Sequence, residues 1–194
     1  MNEDRNATGT AQPSRRGLFG RFARDRSGAT AIEFTMLAIP FSLLIFAILE
    51  SCISFTAQQI VSNAADEVSR QFRTGQLRPD PSNPVLLASK VRGLVCERLE
   101  IIVSKGCPGL AIDLRQFSTF ADAANIKTKF TPSGDLDTTG FGVNPGKATT
   151  KNMLRVYYKW PVITDFMRAS MSNLPGGKTL QSATAIWQNE PFQD

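Results

Sequence analysis

The residues best placed to do chemistry stand at one junction, Gly28-Ala29-Thr30-Ala31-Ile32-Glu33-Phe34, where small residues end a basic stretch and a lone acid sits inside an apolar run. An ionised carboxylate at that depth of a bilayer costs on the order of a few kcal/mol, so Glu33 asks for a partner. Hydrolysis of the Gly28–Ala29 peptide bond would supply one. The α-amino group freed on Ala29 has an ordinary pKa of about 8 and is largely cationic at neutral pH. It could pair with Glu33 of a neighbouring subunit in low-dielectric surroundings. Such a pair would guide helix-to-helix assembly.

The rest of the inventory argues against catalysis. Histidine is absent, which removes the commonest general base and metal ligand. Scattered carboxylates form no constellation. The Gly146-Lys147 pair in a glycine-rich loop lacks both the first glycine of a phosphate cradle, where Phe141 stands, and the hydroxyl residue, where Ala148 stands. Tyr157, Tyr158 and Trp160 alternate with Arg155 and Lys159, a pattern compatible with base stacking but read here as a solvated sheet edge. Of the three cysteines, Cys52 is read as lying inside the apolar stretch, as a small apolar residue of the helix, while Cys96 and Cys107 have ten residues between them and no Cys-x-x-Cys pair exists. Cys96 and Cys107 are either buried thiols or a disulfide, and an outward-facing domain in an oxidising space favours the disulfide.

These residues need elements to position them. Phe34 to Leu49 is sixteen residues without a charge, and counting from Ala29 gives 21, enough to cross a hydrocarbon core of about 30 Å. Pro40 should kink this helix without breaking it. Beyond the run, Ile60, Ala64, Val68 and Phe72 recur every four residues, beside Val61 and Ala65, and continue the same helix as an amphipathic one. Gly75 supplies the stop, so the helix should span about Ala29 to Thr74, roughly 70 Å. Pro79, Pro81 and Pro84 mark a linker. A short second helix follows over Val85–Leu99, carrying Leu87, Val91, Leu94 and Val95. Strands are expected from Leu110 to Phe117, Met153 to Val162 and Ser182 to Gln188, with a long loop over residues 131–152. The fold class is α+β: a long N-terminal transmembrane helix packed on a small antiparallel sheet, plus a short second helix.

Charge sets the orientation. Arg5, Arg15, Arg16, Arg21, Arg24 and Arg26 are six of the 22 basic residues, and the same stretch holds three of the 17 acidic ones, leaving a nearly neutral remainder of 16 against 14. That balance weakens any nucleic-acid reading. A basic flank on the N-terminal side alone keeps that end in the cytoplasm and sends the C-terminal domain outside. The expected organisation is a basic cytoplasmic leader over 1–28, a transmembrane helix over 29–50, its soluble continuation over 51–76 and an extracytoplasmic α+β domain over 77–194.

The junction, the apolar helix and the continuation ILESCISFTAQQIVSNAADEVSRQFRTGQ resemble the TadE-like minor pseudopilins of the tight-adherence (Flp, type IVb) pilus. The resemblance runs to about Gly75, and ATAIWQNEPF (Ala183–Phe192) is similar to that family's terminus. It implies a pilin-like order of elements and cleavage after Gly28 by a membrane-embedded aspartyl prepilin peptidase, which makes Ala29 the first and Glu33 the fifth mature residue. Phe34 stands where many pilins carry tyrosine, keeping the ring without the hydroxyl. The implied partners are the peptidase, other pilin and pseudopilin subunits, a secretion ATPase and an inner-membrane assembly platform, in the service of adhesive pili. No cofactor is implied. Competing readings are an uncleaved single-pass anchor for a periplasmic binding or sensing module, a lipoprotein modified at Cys52, which Glu50 fits poorly, and an ordinary secretory signal, for which the apolar run is too long.

Overall fold

The computed structural model describes residues 28–78 and 83–192; the leader up to residue 27 and Pro79 and Pro81 of the linker lie outside the described residues. Ala29–Arg73 form one helix of 45 residues, α1, which passes through Pro40 without a break. Its end is set by Gly75 at φ +73, where the Gly75 N–H donates to Phe72 O at 3.2 Å and the Leu77 N–H to Gln71 O at 3.0 Å. Glycine is needed there twice over. Its backbone is left-handed, and an added Cβ would lie 2.8 Å from the Phe192 ring.

Internal contacts divide the chain into a unit ending at Ile45 and a second unit, Phe46–Asp194. In the first, Ile32, Phe34, Met36, Leu37, Ile39 and Phe41 are 59% to 74% exposed, and α1 is long and apolar enough here to cross a membrane. Apolar surface exposed over this length is what a membrane anchor presents to lipid.

The second unit is an α+β domain. Pro84–Leu99 form α2, begun by the Asn83 side chain, which accepts from Leu86 N at 3.0 Å, and by Pro84 in the first turn. Pro84 therefore starts a helix instead of closing the linker, because its missing N–H has no partner to lose there. The strands are β1 (Leu110–Phe117), β2 (Val143–Asn144), β3 (Lys151–Pro161) and β4 (Lys178–Gln188), in the order β2-β1-β3-β4. The three long strands are antiparallel, as expected, but β2 runs parallel to β1, which makes the sheet mixed. This short pairing arises where the long loop returns along the free edge of β1, with Leu114 N donating to Gly142 O at 2.7 Å. Two short helices were not foreseen: α3 (Phe120–Ala124) and α4 (Asp165–Met171).

Ala57, Val61, Ala64, Ala65, Val68 and Phe72 of α1 are fully buried and share one core with Leu87, Val91, Val95 and Leu99 of α2 and with Leu114, Leu154, Val156 and Trp160 of the sheet. Side chains alternate across a strand, so Met153, Arg155 and Tyr157 face the other side. They too are buried, beneath the segment that leads from β1 to β2: Tyr157 stacks on Phe141 at 5.7 Å and shares a hydrogen bond with Thr128 at 2.9 Å. The expectation of a solvated edge at Tyr157, Tyr158 and Trp160 is thus overturned. They are 2%, 4% and 5% exposed, because β3 is a central strand covered on both faces.

Candidate functional site

Gly28 is exposed just ahead of α1, with no described atom within 4 Å of where a Cβ would stand and no left-handed backbone. Among the described residues, neither packing nor backbone conformation demands glycine at 28. Ala29 opens the helix, and Glu33 lies on the same face one turn along, since positions i and i+4 are neighbours. Glu33 and Phe34 are both exposed, Phe34 at 74%, and Glu33 makes no hydrogen bond or ion pair among the described residues. The junction therefore presents a peptide bond, an unpaired carboxylate and an aromatic ring outward.

Of the expected site residues, the structure brings two into contact: Cys96 and Cys107 form a disulfide, with a Cα–Cα distance of 5.7 Å. It fastens the end of α2 to the turn that enters β1. Arg92 closes the same turn, donating to Leu110 O at 2.8 Å and to Gly106 O and Cys107 O at 3.2 Å. Glu100 lies beside the two sulfurs, but each sulfur is committed to the other, so the group is no metal site. Cys52 is an exposed free cysteine on α1.

Glu50 stands at the outer edge of the apolar run, where an acid would rest in the membrane interface, yet the domain buries it. Glu50 is 4% exposed and accepts from the backbone N–H of Ile163, the backbone N–H of Thr164 and the Thr164 hydroxyl. Thr164 precedes α4 but spends its hydroxyl on Glu50 instead of capping that helix. A turn higher, Gln181 Nε2 donates to Ser54 Oγ at 2.9 Å. Gln58 then offers its amide to the outer strand, accepting from Ser182 N at 3.1 Å and donating to Ser182 O at 2.7 Å. Three polar residues of α1 thus hold the domain at the place where the helix changes from apolar to amphipathic. The signal was present in the sequence: counting back from Phe72 by threes and fours through Val68, Ala64, Val61, Ala57 and Ser54 arrives at Glu50.

The two segments that carry the family resemblance meet in space. Trp187 stacks on Phe72 at 6.4 Å, Glu190 N donates to Arg73 O at 2.9 Å, and Phe192 packs against Gly75 with the Arg78 guanidinium 5.1 Å from its ring centre. Trp187 Nε1 also donates to Asn189 Oδ1 at 2.7 Å, while the Asn189 amide donates to Gly146 O and Lys147 O at 3.0 and 2.8 Å. The chain end is thereby a clasp on the end of α1.

On the far face of the sheet, Asp113 is fully buried and pairs with Arg155 across the strands at 2.6 Å, with Arg115 at 2.7 Å. The Arg155 guanidinium also lies 5.4 Å from the Phe141 ring centre. No local sequence signal marks this pair, since its members are 42 residues apart. No curated protein and no solved structure matches the chain. A family model described as TadE-like protein does match, over residues 28–70, so the stretch from the junction glycine through the buried stripe of α1 is similar to that family.

Proposed function

We propose that this protein is a minor pseudopilin that supports assembly of type IVb (Flp/Tad) adhesive pili. A prepilin peptidase removes the leader 1–28, and α1 then holds the protein in the bacterial inner membrane with its C-terminal domain in the periplasm. The observation that carries this reading is the family match, because it begins at Gly28 and covers the junction and Glu33. Two features of the chain support it. Among the described residues nothing requires glycine at 28, as expected of a residue selected by an external peptidase, and Glu33 has no partner there on an apolar helix that is exposed along its length.

In this reading the mature Ala29 amine of one subunit pairs with Glu33 of another, and the exposed faces of α1 pack against neighbouring pilin and pseudopilin helices. The assembly platform and its ATPase act on that helical array. The role is structural and needs no catalytic group or cofactor from this chain. The test is Glu33→Ala: the variant should still reach the membrane and be cut, yet fail to copurify with pilin subunits and leave cells without surface pili. Normal copurification and piliation would sink the assembly role. An intact leader in both wild type and variant would favour the uncleaved periplasmic module.

A further inference from the structure

The turn that Glu50 holds has a second property. Val162 is buried and its N–H donates to Gly177 O at 2.9 Å, while Arg168 Nε donates back to Val162 O at 3.4 Å, so the turn is pinned from both sides. The next apolar side chains point away from the core: Ile163 is 64% exposed and Phe166 is 45% exposed. Their place along α1 is fixed by the Glu50 carboxylate, which binds the backbone of Ile163 and Thr164. Glu50 directly follows Leu49, the last residue of the apolar run, and around it Phe46, Ile48, Leu49 and Ile53 are 55%, 50%, 52% and 44% exposed.

We propose that Ile163 and Phe166 form a second membrane contact, entering the lipid interface beside the point where α1 leaves the hydrocarbon. This rests on the reading that α1 spans the membrane. The occupant is the bilayer surface because the two side chains lie one hydrogen bond from the boundary of the span and continue its exposed apolar surface. The charges nearby do not oppose this. Asp165 and Arg168 pair with each other at 2.7 Å, which leaves the patch close to neutral, so the contact is apolar and does not require anionic lipid. An exposed aromatic and an exposed isoleucine on a pinned turn lose little conformational freedom on insertion.

The experiment uses the full chain in phosphatidylcholine vesicles, with Cys52→Ser removing the free thiol. Single cysteines carrying an environment-sensitive fluorophore are placed by Ile163→Cys, by Phe166→Cys, by Leu44→Cys within the span and by Lys147→Cys beside the clasp at the far end of β3. Lipids bearing a nitroxide in the upper acyl chain are then added. The expected result is loss of emission at 163 and 166 approaching that at 44, with 147 unaffected. Loss at 44 alone overturns the contact and leaves the span intact. No loss even at 44 overturns both. Blue-shifted emission at 163 and 166 without quenching means that protein, such as a second copy, covers the patch, and it also overturns the contact. Matching circular dichroism spectra verify that each labelled variant is folded.

Discussion

Replacing Asp113 by alanine should cost the domain about 4 kcal/mol, because breaking one side of a buried ion pair leaves a charge with no compensation. The structure shows how much is lost. Asp113 accepts from Arg155 at 2.6 and 3.2 Å, from Arg115 at 2.7 Å and from Gly142 N at 3.3 Å. The Arg115 side chain is 35% exposed and can turn to water. The Arg155 side chain is 6% exposed and cannot, and Lys127 O at 3.4 Å and the rings of Phe141 and Tyr157 are the contacts it keeps. The Arg155 charge therefore dominates the cost, a large part of the roughly 5 to 15 kcal/mol that holds a domain folded. Urea unfolding of the detergent-solubilised chain measures it through Trp160 and Trp187, both in the domain core. The double variant Asp113→Leu/Arg155→Met should recover to within about 1 kcal/mol of wild type, since an apolar pair of similar bulk replaces a desolvated ionic one. A loss under about 1 kcal/mol for the single variant, or a double variant no more stable than the single, would refute the reasoning.

Gly28→Leu should leave the unfolding curve of the domain unchanged, because no described atom crowds position 28, while the uncut precursor accumulates on gels; a shifted curve would show that the glycine serves the fold. Cys96→Ser should cost about 3 kcal/mol for a loop of this length, and reduced wild type should match the variant in the same urea experiment. Asp135 is held below the usual carboxylate range, first by the hydrogen bond from Lys159 and then by the backbone N–H of Leu136. Its contribution is present above the unfolded pKa of about 3.9 and fades as pH falls through the lower folded value. Asp135→Asn should therefore cost about 0.5 kcal/mol at neutral pH for so exposed a pair, and the gap from wild type should close on acidification; a gap that widens in acid would contradict the assignment.

What could be read from the sequence was what single elements announce about themselves. The uncharged run, the four-residue stripe and Gly75 gave α1 to within a residue of its observed end at Arg73, and Leu110–Phe117 emerged with its observed bounds. What could not be read depends on where elements meet. Arg155 and Lys159 made β3 look wet, yet one is paired inside the domain and the other bridges to Asp135 at 2.7 Å. The strands Lys151–Pro161 and Lys178–Gln188 begin before their apolar residues do, because their register is set by each other. The helix α3 did carry a local signal: Thr119 and Asp122 form a capping box, with Asp122 N donating to Thr119 Oγ1 at 3.1 Å and Thr119 N to Asp122 Oδ2 at 3.2 Å. Glu50 belongs to two patterns at once, since the apolar run ends just before it and the stripe that buries α1 reaches back to it.

The proposed processing makes Ala29 the first residue of the mature protein. Mass spectrometry of the protein purified from native membranes, read at its N-terminal peptide, tests that most directly. The expected peptide begins at Ala29. A peptide that retains the leader, a lipidated terminus at Cys52, or a terminus further along the chain would contradict it.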